Sequence, residues 1–75
     1  MRNLDPHLQY MMLGVTSHAG GYLADSQMWW QKLERRLDGV AIKAVGFGAN
    51  PNDAAQAAVE DFRLAIAQAI GGVVA

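Results

Sequence analysis

The sequence contains no cysteine, so neither a disulfide nor a thiolate metal site can stabilise the fold. Its 75 residues are enough for one domain. A domain of this size buries only about 60–65% of the surface that its unfolded chain exposes. Without cross-links, such a domain must pack very closely or bury surface against another chain. The length alone therefore favours a homo-oligomer or a tightly bound partner protein.

Charge and long apolar runs are also scarce. Six Lys and Arg residues and seven Asp and Glu residues give a net charge of −1. This is too few cations for a surface that follows a phosphate backbone, so nucleic acid is not favoured as a partner. No apolar run approaches the roughly 18–20 residues that span a bilayer, and the N-terminus lacks the apolar segment of a signal peptide. We therefore expect no membrane partner and a cytoplasmic location.

Few residues are suited to catalysis or to metal binding. The two histidines, His7 and His18, have no acidic residue at helical spacing, whereas a metal site needs three or four ligands. Ser17 precedes His18, but adjacency in sequence is not the geometry of a catalytic triad. The segment Gly46–Pro51 leads from a strand into a helix, yet it lacks the third glycine and the Lys-Ser/Thr of phosphate-binding loops. The sequence therefore predicts no enzyme, no metal site and no cofactor.

The N-terminal third gives the weaker structural signal. Residues 1–4 are expected to fray, and Asp5 and Pro6 are typical of an N-cap and a first helical position. A helix is predicted for residues 5–18, although the same stretch also alternates as a strand would. The apolar face of that helix would carry Leu8, Met11, Met12 and Val15. The segment His18–Gly21 would then form a turn, because paired glycines favour turns.

A β-hairpin is predicted for residues 28–47, because Asp38–Gly39 is among the strongest short turn signals. A turn there places Glu34 opposite Lys43, as an opposite-charge pair. One face of the hairpin would be mostly apolar and would carry Trp29, Leu33, Leu37, Val40, Ile42 and Ala44. The other face would carry Trp30, Lys32, Glu34, Arg36, Lys43, Val45 and Phe47.

An alternative for Met28–Leu37 stays open. Trp29, Leu33 and Leu37 follow the i, i+4, i+8 spacing of a helix, and Ser26 is a suitable N-cap. Gln31 and Arg35 would fall on the apolar face of the hairpin, against the pattern. The chain could therefore run from helix to strand here instead of forming two paired strands.

An alanine-rich helix is predicted over residues 51–70. Asn50 would cap it, and Asp53 suits the positive end of the helix dipole. Its apolar stripe would consist of Ala55, Val59, Phe62, Ile66 and Ile70. Its alanines, with Gly46 and Gly48 at the end of the preceding strand, allow a close approach of helix and sheet. The predicted fold class is α+β: an N-terminal helix, a two- or three-stranded antiparallel sheet built on the hairpin, and a C-terminal helix packed on that sheet.

The charged face of the hairpin is the candidate binding surface. Neighbouring residues of a strand point to opposite faces, so Trp30 would lie beside Val45 and Phe47 and away from the core. Either the N-terminal segment around Tyr10 covers these side chains, or they form an exposed patch of the kind enriched in interfaces. The candidate partner-binding residues are Trp30, Lys32, Glu34, Arg36, Lys43 and Phe47. A secondary acidic patch would consist of Asp53, Glu60 and Asp61, whose ordinary role would be a solvated helix face.

The span Trp30–Phe62, WQKLERRLDGVAIKAVGFGANPNDAAQAAVEDF, resembles a layout of small phage and prophage proteins. In that layout an aromatic-led strand and a DG turn precede a strand that ends in Gly-aromatic-Gly, and a helix follows a proline. Some small type I anti-CRISPR proteins are similar in size and layout. The resemblance implies a phage-encoded inhibitor that binds a bacterial defence complex in the cytoplasm of the host cell.

Three function classes follow. The first is a non-enzymatic protein-binding module, as the resemblance also implies. The second is a small nucleic-acid or nucleotide binder that uses Lys32, Arg36 and Lys43. The third is a structural homo-oligomer, such as a phage assembly component.

Overall fold

A computed structural model describes residues 5–71. Its elements are α1 (Pro6–Met12), β1 (Ser17–Leu23), β2 (Met28–Leu37), β3 (Val40–Gly48) and α2 (Pro51–Gly71). The strands form one antiparallel sheet in the order β1-β2-β3, and α2 packs on it, mainly against β3. The predicted α+β class is confirmed, and the sheet has the third strand that the sequence left open. The fraying expected of residues 1–4 lies outside the described residues.

Helix α1 begins as predicted and ends early. The Asp5 carboxylate accepts a hydrogen bond of 2.8 Å from the backbone N–H of His7, which caps the helix. Gly14 adopts a φ of 73°, a left-handed conformation that ends helices and favours glycine. The predicted N-terminal helix is therefore present, but it ends at Met12 and not at residue 18. Its predicted apolar face is wrong, because Tyr10 is the α1 residue in the core. Three residues of that face are at least half exposed: Leu8, Met11 and Met12.

Strand β1 occupies the segment for which a turn was predicted. The paired glycines of His18–Gly21 lie within the strand, opposite β2. A Cβ on Gly20 would lie 2.8 Å from Oε1 of Gln31, and one on Gly21 would lie 2.9 Å from Nε1 of Trp30. The turn prediction is wrong because these glycines leave room for two large side chains of β2.

The β2–β3 hairpin has the predicted register. The expected pairs Leu37–Val40, Glu34–Lys43, Leu33–Ala44 and Trp30–Phe47 are all present. Asp38 and Gly39 have φ values of 52° and 81°, and two consecutive positive φ angles are what a type I′ turn requires. The helical alternative for Met28–Leu37 is therefore wrong.

The core lies between α2 and the sheet face that we call the inner face. Its largest fully buried side chains are Leu33, Val59 and Phe62. The two polar residues of β2 that the register places on this face each donate a hydrogen bond to a backbone carbonyl. Gln31 donates a 2.9 Å hydrogen bond from Nε2 to the carbonyl of Ala19, and Arg35 donates one of 3.1 Å from Nη1 to that of Leu13. These bonds join β2 to β1 and to the end of α1.

Glycines at the end of β3 let α2 lie close to the sheet, as predicted. A Cβ on either Gly46 or Gly48 would come within 2.6 Å of a backbone atom of Ala54. The apolar stripe of α2 is buried at Ala55, Val59, Phe62 and Ile66. Ile70 is 65% exposed, so the predicted stripe extends one turn too far.

Candidate functional site

The sheet face opposite α2, here the outer face, carries all the residues proposed for the main binding surface. From β1 to β3 it presents Ser17, Ala19, Gly21, Leu23, Met28, Trp30, Lys32, Glu34, Arg36, Ala41, Lys43, Val45 and Phe47. The two helices contact each other, and α2 lies on the inner face. Met11 and Met12 are 64% and 71% exposed and Tyr10 enters the core, so this segment does not cover the outer face.

Side chains on the outer face change from apolar to charged along the strands. The register places Leu23 beside Met28 at one end, followed by Trp30 beside Phe47, Lys32 beside Val45, Glu34 beside Lys43, and Arg36 beside Ala41. We define the apolar patch as Leu23, Met28, Trp30, Val45 and Phe47. We define the charged patch as Lys32, Glu34, Arg36 and Lys43. The two patches adjoin, so one ligand can contact both.

The apolar patch is open to solvent. Phe47 is 48% exposed, Val45 is 44% exposed and Leu23 is 40% exposed. Trp30 is half-buried, because its indole ring lies against Gly21 on one side and Trp30 pairs with Phe47 on the other. The ring therefore lies against the sheet itself and gives the patch a large centre.

The charged patch carries a net positive charge. Three cations surround one anion, Glu34, which leaves a charge of +2. A recess between β1 and β2 that includes Glu34 has a volume of about 100 Å³, and an open recess at the edge of β3 that includes Lys32, Lys43 and Val45 has a volume of about 300 Å³. Small-molecule sites usually occupy roughly 300–1,000 Å³. The first recess is too small for such a site and the second is open to solvent, so the outer face offers a broad, shallow contact.

The secondary acidic patch does not join the outer face. Asp53, Glu60 and Asp61 are all exposed on α2. Asp53 completes the helix cap: its N–H donates a 2.8 Å hydrogen bond to Oδ1 of Asn50, and its carboxylate accepts one of 3.2 Å from Nδ2 of Asn50. Asp61 alone approaches the proposed site, since it lines a recess at the edge of β3 together with Lys43.

The register places His18 on the inner face. The His18 ring is 5.3 Å from the Tyr10 ring, tilted by 44°. Burial raises the pKa of the Tyr10 hydroxyl above its usual value. Within residues 5–71, no three His, Asp or Glu side chains gather as they would to hold a metal ion.

Two members of the apolar patch were not predicted from the sequence. Leu23 and Met28 pair at the start of the β1–β2 hairpin, and their position depends on β1 being a strand. The available signal was the polar connection Asp25–Gln27 between two stretches with large apolar residues. Gln27 indeed has a positive φ of 54°, as tight connections often require.

Neither helix of the described part of the chain is long and apolar enough to cross a bilayer. Comparisons with protein-family models, with characterised proteins and with solved structures find no match to this chain. The functional argument therefore depends on the outer face and on its two adjoining patches.

Proposed function

We propose that the chain is a non-enzymatic protein-binding module that holds its partner on the outer face. The observation that carries this proposal is the apolar patch, which stays open although the chain buries a core on the other side of the same sheet. Aromatic residues and Met are enriched in protein interfaces, and contiguous exposed apolar surface on a small domain marks interaction sites. Trp30 would be the central anchor, because large aromatic residues dominate binding energy.

The charges of the outer face define the partner. A protein that fits both patches presents apolar side chains bordered by carboxylates, which face Lys32, Arg36 and Lys43. Glu34 gives the charged patch one site that can pair with a cation of the partner. The alternating charges would fix the orientation of the partner, while the apolar patch would supply most of the affinity.

Within this class we infer an inhibitor of a bacterial defence complex. The support is the resemblance of Trp30–Phe62 in layout to small phage proteins, including type I anti-CRISPR proteins. An inhibitor that covers a site on its target needs a stable contact surface and no catalytic group. It would act in the cytoplasm of the host bacterium.

A plaque assay tests the inhibitor. The chain is expressed in hosts that each carry one defence system, type I CRISPR included, and each host is challenged with a phage that its system blocks. We expect plaques to return in at least one host, and the variant Phe47→Asp to lose this effect. Leu64→Asp, a change at an exposed position of α2, should keep it. If plaques return in none of the hosts, the inhibitor proposal is contradicted.

A nucleic-acid binder is the second candidate, since three cations lie on one face with aromatic side chains that bases can stack on. Fluorescent single- and double-stranded oligonucleotides separate the two candidates. Binding that falls steeply between 50 and 200 mM salt indicates release of counterions from phosphates. The protein-binding proposal predicts no oligonucleotide binding at either salt concentration.

A further inference from the structure

We propose that the chain forms a symmetric dimer in which β3 pairs with β3 of a second copy, so that the two sheets become one of six strands. β3 lies at the edge of the sheet, and within residues 5–71 no segment pairs with its free side. It spans the nine residues Val40–Gly48 and contains no proline and one charged residue, Lys43. Monomeric proteins usually protect such edges with prolines, several charges or short strands.

The sequence of β3 complements itself. In an antiparallel pairing centred on Ala44, all nine residues find a partner. The pairs are Ala44–Ala44, Lys43–Val45, Ile42–Gly46, Ala41–Phe47 and Val40–Gly48, each joining one copy to the other. In the Ala41–Phe47 pair, which lies on the open outer face, the large side chain faces alanine, which leaves it room. On the inner face, the space above Gly46 and Gly48 is already filled by α2 of the same copy.

Charge and orientation select this register. Centring the pairing on Lys43 would set two lysines side by side, which is destabilising. Centring it on Val45 would leave two residues of each strand unpaired. A shift by a single residue would turn one sheet over and place the two α2 helices on opposite faces. Only the pairing centred on Ala44 keeps the full strand, separates the lysines and leaves both helices on one side.

The surroundings of the edge also suit a second copy. Lys43 and Asp61 line the same open recess of about 300 Å³ beside Ala44. Each copy therefore brings one cation and one anion to the axis, and no charge of one sign accumulates there. The opposite edge, β1, is shorter and contains Gly20 and Gly21, and glycine-rich strands specify a register weakly.

The dimer would extend the outer face and leave it open. Phe47 and Val45 of each copy would lie next to β3 of the other copy, and the two outer faces would form one continuous surface. The inference goes beyond the proposed function and does not depend on it, because the mass of the protein is measured without a partner. A partner protein could then engage both copies at once.

Sedimentation equilibrium of the full chain provides the first test. The dimer mass is expected at high concentration, with dissociation to the monomer on dilution. A monomer mass at every concentration up to the solubility limit would overturn the proposal. This result would leave the partner-binding proposal untouched, so the two can fail separately.

Cysteine cross-linking provides the second test, because the chain has no cysteine of its own. Lys43→Cys and Val45→Cys are oxidised with glutathione disulfide, separately and as an equimolar mixture. Covalent dimers are expected in the mixture and not in either variant alone, since residue 43 faces residue 45 across the axis. His7→Cys, at an exposed position of α1, replaces one member of the mixture as a control for random collision.

The cross-linking pattern also tests the register. Strong cross-linking of Val45→Cys alone, or of Lys43→Cys alone, would show a pairing centred on that residue and would overturn the one proposed. Equal cross-linking in all mixtures, including the one with His7→Cys, would overturn strand pairing altogether. Circular dichroism of each variant verifies that the cross-linked species is folded.

Discussion

Gly46 lies where the sheet and α2 approach most closely, and a single methyl group has no room there. A Cβ at this position would overlap the backbone of α2 at Ala54, Ala57 and Ala58. Backbone cannot move aside as a flexible side chain can. The packing of α2 on β3 therefore depends on a residue that contributes no side chain of its own.

The variant Gly46→Ala should be markedly destabilised. Overpacking in a core costs about 1–3 kcal/mol, and the upper end applies where backbone must shift. The free energy of unfolding in urea measures the loss. Gly71→Ala is the matched control, since a Cβ there meets no atom within 4 Å, and it should change stability by less than about 0.5 kcal/mol. Equal stability of the two variants would contradict the observed packing.

The buried hydroxyl of Tyr10 makes the stability of the fold depend on pH. Its side chain is 7% exposed, and burial raises the pKa of its hydroxyl above the ordinary value of about 10. The folded state therefore holds this proton more tightly than the unfolded state does. Its contribution to stability is complete below pH 10 and is lost as the pH rises through the folded pKa.

Urea unfolding at pH values from 7 to 11 tests this dependence. The wild-type chain should lose stability above pH 10, and Tyr10→Phe should lose less, because it keeps the ring and removes the titrating group. If the free energy of unfolding falls equally for the two proteins between pH 7 and 11, ionisation of the Tyr10 hydroxyl does not destabilise the folded state.

The elements differ in how completely the sequence determines them. β3 and α2 match their predicted bounds to within a residue, because turn, cap and apolar stripe all agree on these segments. β1 was missed, because its two glycines favour a turn locally and become strand residues only opposite Gln31 and Trp30. That information lies in the pairing of distant segments, which no local pattern contains.

The same distinction applies to the candidate site. The positions of Trp30 and Phe47 follow from the turn and from the alternation of a strand, and both are confirmed. Leu23 and Met28 could be assigned to the apolar patch only once residues 17–23 were known to form β1. Whether the N-terminal segment covered the patch could not be predicted, since the cover depends on which side of the sheet α1 packs.

The β2–β3 turn should be sensitive to backbone conformation alone. A Cβ on Gly39 would meet no atom within 4 Å, but its φ is 81°. Gly39→Ala should therefore cost about 1–2 kcal/mol, the penalty of left-handed backbone for other residues. Gly71→Ala again has open space but no positive φ. The difference between the two variants in the free energy of unfolding in urea therefore measures the cost of the left-handed backbone alone. If Gly39→Ala unfolds at the same urea concentration as Gly71→Ala, the turn is not of the proposed type.

The whole molecule has two layers, one sheet and one layer of helices, with a core between them. Such a layout leaves one face of the sheet to solvent, and here that face carries an aromatic centre instead of a uniformly polar surface. Residues 5–71 supply no third layer over this face. Strand pairing at the edge and partner binding on the outer face use different surfaces, so a dimer can present two binding faces.

The affinity of Trp30→Ala for the captured partner tests the central claim most directly. Tagged wild-type protein captures the partner from a bacterial lysate, and calorimetry then compares wild type, Trp30→Ala and Leu64→Ala. We expect Trp30→Ala to lose at least about 2 kcal/mol of binding energy, as interface anchors do, with little change in melting temperature because the ring lies outside the core. Leu64→Ala should bind as wild type. A folded Trp30→Ala protein that binds with wild-type affinity would contradict the account.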